Sequence, residues 1–508
     1  METRDNDSPE PVYVNVTREG SIQDDFGMQL EPPEDGSTVQ HPPNGGLRAW
    51  LIVLSCTGIN ALLAGGLVLL SYCLTSMSND TDIPSGTLQE ISFEYLALIQ
   101  MYSALAAIVM IILGYRVTIA IGAGLLMVTF IILSYLEGNE GLIKFLMYGP
   151  VAIGASFIQF GGFIPVLEYF TTKRMAALFL ARLGAFIGSI VPVIIYIVVP
   201  EKITAKWRDV LRGSTGICVG IGLLGMTLKE LKLTMRDDES TTFVQRTFGV
   251  FKKNILKNVL LWCTCIVYFF YQWGIETPKA ELSTSLLRLD LGDSLSKILS
   301  YALCPYVGLA LGTFLAWLFN KMAFQQKSRL YMLNLEDKRL TIIFGVLAAS
   351  TFLSSIGCFI APSVLDFGYF TTFNLLFSSF NAFCEGVRDS SVPDVFGREN
   401  TKIVEGLIIM SSGIGGIITS EIGGAMDNGD DNDWKKIFRY GGGMLLVSSV
   451  VTIAVFVADK IKALDVIHAK IPGNSNVPLR PFNNERIENR RNSKEHGATS
   501  GVHNKGFE

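Results

Sequence analysis

The chain has 508 residues, of which 49% are hydrophobic and 17% charged, with a formal net charge of −4. Soluble chains carry about a quarter charged residues, so the composition argues against a soluble globular protein, and the near-neutral balance offers no basic surface for nucleic acid. The apolar residues come in runs of about 20 bounded by charges, which is the length that crosses about 30 Å of hydrocarbon.

In chain order, residues 1–48 read as an acidic, disordered tail without the apolar segment of a cleavable signal, so the first span is expected to direct insertion. Six apolar runs follow at 49–72, 95–113, 117–136, 145–170, 176–199 and 209–228. A polar loop at 229–257 separates them from six more, at 258–278, 295–319, 339–361, 366–388, 402–425 and 439–459, and a polar tail at 460–508 closes the chain. This predicts an all-α polytopic membrane protein with about twelve transmembrane helices. Its N-terminal six-helix bundle would span 49–228 and its C-terminal six-helix bundle 258–459. Lys and Arg are more numerous in the loops on the side of the tails, which places both termini in the cytosol. The first loop on the other side carries Asn79-Asp80-Thr81, a glycosylation acceptor sequence, with Asn79 as the modified residue.

The starts of the sixth and twelfth runs echo each other, with Trp207-Arg208 in one and Trp434-Lys435 in the other, a faint parallel repeat. The eight cysteines lie in or beside apolar runs and the four histidines in the tails. No Walker A sequence, nucleophile elbow or dinucleotide fingerprint occurs, so neither enzyme chemistry nor a cofactor or metal is expected.

Charges inside the apolar runs carry more information, because one at mid-membrane costs at least about 2.5 kcal/mol. Arg182 lies eight residues beyond Arg174, which is about 12 Å at 1.5 Å per residue. Arg388 lies at a similar depth in the second half. Glu385, three residues before it, shares its helical face, whereas the adjacent Asp389 does not. Glu276, Lys279 and Glu281 read as a solvated rim at the other end of the seventh run. Gly184 and Gly188, Gly216 and Gly220, and Gly308 and Gly312 are pairs four apart, a spacing that lets a second helix approach closely.

Three stretches resemble the monocarboxylate transporters of the major facilitator superfamily. Pro43 to Trp50 is similar to the family's opening of the first helix. Tyr169-Phe170-Thr171-Thr172-Lys173-Arg174, continued to Gly184 and Gly188, is similar to its signature between helices 4 and 5. Val392-Pro393-Asp394-Val395-Phe396-Gly397 resembles its segment between helices 10 and 11. Read without the family, Lys173 and Arg174 form a basic elbow that pairs with lipid headgroups or acidic helix ends.

The resemblance implies a major facilitator bundle of six plus six helices whose tenth helix lines a central cavity. Arg388, Glu385 and Arg182 then become candidate substrate-binding residues, since a guanidinium grips a carboxylate in two-pronged fashion. A structural Arg388–Glu385 pair is the alternative. The family's coupling charges are absent, because this chain reads Leu67-Val68 in the first run and Cys304 and Gly308 in the eighth. The expectation is therefore a plasma-membrane symporter or facilitator of a small organic anion, glycosylated, in contact with membrane lipid and with an accessory membrane protein as a further partner. A non-transporting receptor or accessory subunit on the same fold is the rival.

Overall fold

A computed structural model describes residues 45–78, 80–81, 83–136, 138–171, 173–198, 206–229, 256–288, 304–325, 335–363, 366–426 and 433–469. The tails to residue 44 and from 470, most of the central loop, and the glycosylation candidate Asn79 lie outside the described residues, as does the side chain of Glu281.

Regular structure among the described residues is helical, as hydrocarbon demands of a backbone that must satisfy its own hydrogen bonds. The helices are α1 (Gly46–Met77), α2 (Ser85–Met101), α3 (Ser103–Tyr135), α4 (Glu140–Leu146), α5 (Ala152–Gly161), α6 (Ile164–Tyr169) and α7 (Arg174–Val198). They continue with α8 (Trp207–Thr227), α9 (Val259–Arg288), α10 (Cys304–Gln325), α11 (Leu335–Ile360), α12 (Phe367–Val395), α13 (Thr401–Met426) and α14 (Asp433–Ala469). Nine helical segments among the described residues are long and apolar enough to cross a membrane. α10 and α12 fall outside that set; in α12 the stretch before Glu385 carries no charge but is diluted by Asn374, Asn381 and several serines and threonines.

α3 reverses at Gly114, whose φ of 84° is open to glycine without penalty, so its first part continues α2 and its second part returns. α4, a π turn at Met147–Val151 around Pro150, α5 and α6 form one further rod. Proline has no N–H for the helical ladder, and a wide turn accommodates it. Among the described residues twelve rods then follow in the expected order. We call basal the end at which α1 begins and α14 ends, and apical the opposite end.

Several boundaries differ from expectation. α14 runs to Ala469, past the expected tail boundary at 460, because Lys460-Ile461-Lys462-Ala463-Leu464 are helix formers and the next proline is Pro472. α9 continues through Pro278 to Arg288.

Among the described residues two buried clusters of apolar side chains make up the core. One is drawn mainly from α1 to α8, the other from α9 to α14. Between them α13 packs along α2 and α3, and α10 packs against α7. Within the first half α1 lies so close to α7 that a Cβ on Gly184 would stand 2.0 Å from the Thr57 carbonyl oxygen, and one on Gly188 1.9 Å from that of Ala61. Asn60 of α1 donates from Nδ2 to the carbonyls of Gly162 and Ala181, both at 3.1 Å, and so ties three rods together. The sequence echo has a shared geometry: Trp207 and Trp434 are both fully buried, with Arg208 5.0 Å and Lys435 5.7 Å over the respective ring. At the apical end, Trp207 Nε1 donates to Asp80 Oδ2 at 2.7 Å.

Candidate functional site

A charge placed within an apolar rod needs a partner, and the buried charges of this chain find theirs across helices. Arg182 of α7 donates from Nη1 to Glu385 Oε2 at 3.1 Å and from Nη2 to Asp389 Oδ2, both on α12. Arg388 of α12 donates from Nε to Asp389 Oδ1 at 2.7 Å, with Nη2 2.6 Å from the same oxygen. Its Nε lies 3.8 Å from Glu405 Oε2 of α13, and its guanidinium sits 5.0 Å over the Tyr268 ring of α9. Side-chain exposure falls through the group, from 27% at Glu385 and 17% at Arg182 to 10% at Arg388, 1% at Asp389 and 0% at Glu405. Glu385 and Arg182 are thus its accessible edge.

The Arg388–Glu385 pair, offered above as the alternative reading, does not form. Glu385 pairs with Arg182 of the other half, and Asp389, placed by sequence off the shared face, serves both arginines. Its two oxygens point apart, one to each guanidinium, and a long arginine side chain reaches a neighbour on its own helix as readily as one a turn away.

Closer to the basal end, the residues of the three resemblance stretches meet. Trp50 packs on the buried Phe170 ring at 5.2 Å. Tyr169 donates its hydroxyl to the Lys229 carbonyl at 2.7 Å. Arg174 is buried and donates from Nη1 to Asp394 Oδ1 at 2.9 Å and to the Ser390 carbonyl at 2.7 Å, beside the buried Pro393. Of the basic elbow, Arg174 is therefore bound to an acidic helix end, while Lys173 is exposed. Arg398, half-buried in the turn before α13, is held below the usual arginine range first by burial and then by the Arg174 guanidinium.

A second tie lies beside it. Tyr115 of α3 donates to Glu168 of α6, and Lys402 of α13 stands 3.6 Å from Glu168 and 4.5 Å over the Tyr115 ring. Both ties, like the Arg182 network, join one half to the other. At the apical side, Glu276 takes Gln272 Nε2 at 2.6 Å and Lys279 Nζ at 3.0 Å, half-buried where a solvated rim was expected.

Sequence reasoning missed Glu405, Tyr268, Glu168 and Lys402. Glu168 and Glu405 carry the same signal that exposed Arg182, a charge within an apolar run. Tyr268 carries none, since one tyrosine among Val267, Phe269 and Phe270 reads as packing.

No protein-family model and no curated protein matches the chain. Among solved structures it is similar to the fucose:proton symporter of E. coli, with a TM-score of 0.54 and 16% identity over 79% of this chain and 98% of that one. The chain therefore has the fold of the major facilitator type, an integral membrane bundle of six plus six helices.

Proposed function

We propose that the chain is a secondary transporter that moves a small organic anion by alternating access, with Arg182 as the group that grips it. The observation that carries this reading is the Arg182 bridge from α7 to Glu385 and Asp389 of α12, at the accessible edge of an otherwise buried network. A solute carboxylate can replace Glu385 on Arg182 Nη1 while Nη2 stays on Asp389. With Glu385 displaced, Asp389 alone holds Arg182 to α12, so binding loosens the tie between the two halves. Two halves that rock about a site between them convert that loosening into exposure on the other face. The fold shared with a proton symporter supports the transport part of the reading.

Arg388 has a different place from the one its sequence position implies. It is held by Asp389 beneath Arg182, so it positions that shared carboxylate rather than meeting solute first. The excess of Lys and Arg at the basal loops supports a cytosolic basal end, and insertion in the plasma membrane belongs to the same reading.

The test is saturable counterflow of radiolabelled pyruvate, lactate and acetate in vesicles reconstituted with the full chain. Arg182→Gln is expected to abolish counterflow, and Arg388→Gln to reduce it. Unchanged counterflow in Arg182→Gln overturns the role of Arg182. Binding without flux in the wild type favours a receptor on a transporter fold.

A further inference from the structure

We propose that Glu405 is the group at which this chain binds an exchangeable proton, and that loading it readies the buried network to accept an anion. Glu405 is fully buried on α13, and neither carboxylate oxygen has a hydrogen-bond partner. The large majority of buried polar side-chain atoms in proteins are hydrogen-bonded, and among the described residues Glu405 is the one buried carboxylate with both oxygens left without a donor. The nearest cation is Arg388, 3.8 Å away, and its Nε is already given to Asp389 at 2.7 Å. An ionised carboxylate without donors is costly in such a place, whereas a carboxylic acid is far less so.

Charge balance points the same way. Arg182 and Arg388 face Glu385, Asp389 and Glu405, so the group carries one negative charge in excess. One proton from the aqueous phase on Glu405 makes it neutral. The groups that face Glu405 are Arg388 and Asp389 of α12, Tyr268 of α9 and Arg182 of α7. On its own helix Lys402 is engaged by Glu168. Against the next residue, Gly406, α3 sets Ser103, Ala104 and Ala107, which carry no charge.

An anion entering at Arg182 would meet repulsion from a group that already carries net negative charge, and none from a neutral one. Proton loading thus precedes anion binding. That order rests on the transport reading above, whereas the proton site itself does not. Glu405 also stands on a different helix from Leu67 and Gly308, where the resemblance would put coupling charges.

The test is the infrared difference spectrum between neutral and acidic pH of the purified full chain in lipid nanodiscs, read at the carbonyl stretch of protonated carboxyls. The expected result is a buried-acid band in the wild type that is lost in Glu405→Gln and kept in Glu385→Gln. Glu405→Asp, which retains a carboxyl should the glutamine variant fail to fold, keeps the band at a shifted position. A wild type without a titrating band, or a band that survives Glu405→Gln, overturns the proposal. A Glu405-dependent band in a protein that shows no flux sustains it and counts against the transport reading alone.

Discussion

Substituting Gly184 by alanine tests how tightly α1 holds the helix that carries Arg182. A Cβ there would stand 2.0 Å from the Thr57 carbonyl oxygen, and ordinary contact begins at 3.4 Å, so the two helices must part by about 1.4 Å. The obstacle is backbone and cannot rotate aside. Parting by that distance stretches Asn60 Nδ2 to Ala181 O, now 3.1 Å, beyond hydrogen-bonding range. Overpacking costs about 1–3 kcal/mol and the lost bond about 1 kcal/mol, which together destabilise by about 2–4 kcal/mol. Gly216→Ala is the control: the same spacing rule flagged it, yet nothing lies within 4 Å of its added Cβ. That change gains up to about 1 kcal/mol of helix propensity. Heat steps followed by fluorescence-detected size exclusion separate the two. Equal losses, or a greater loss at Gly216, would refute the reasoning.

Asp389→Ala leaves two buried guanidiniums short of a carboxylate and is expected to cost about 3–5 kcal/mol, against a smaller loss for the more exposed Glu385→Ala; the same heat-step assay ranks them, and the reverse order would count against the shared role of Asp389. Trp207→Phe removes the donor to Asp80, a charge-assisted bond with a typical value of about 1.5–3 kcal/mol. Asp80→Asn should show an intermediate loss in that assay. Lys402→Met removes the cation between Glu168 and α13, and should raise deuterium uptake at 398–406 as the basal end loosens; no change there would show that the tie is dispensable.

Length and periodicity of the apolar runs were enough to read the helical architecture, because a backbone in hydrocarbon has few alternatives. The reversal at Gly114 fell in the gap between two predicted runs for the same reason. Polar partners were harder to read. Arg182, Glu385 and Arg388 stood out as charges in apolar surroundings, but which of them pair depends on how α7, α12 and α13 approach, and helical spacing speaks only of neighbours on one helix. It therefore excluded Asp389, the carboxylate both arginines use, and said nothing of Glu405. Glycine spacing failed in the opposite sense. Gly308 and Gly312 lie against α12 while Gly216, in an identical pattern, faces open space, because the pattern permits close approach without specifying a neighbour.

The network that joins the halves is off-centre, and this has an electrical consequence. Arg182 lies about 12 Å from the basal elbow, some 0.4 of the roughly 30 Å hydrocarbon thickness. A transmembrane potential acts on a charge moved across that fraction with about 0.9 kcal/mol per 100 mV. Any rearrangement that shifts net charge between Arg182 and the basal surface is therefore tilted by voltage. On the transport reading proposed above, an energised membrane and a detergent micelle therefore set different resting balances between a closed and an open basal end.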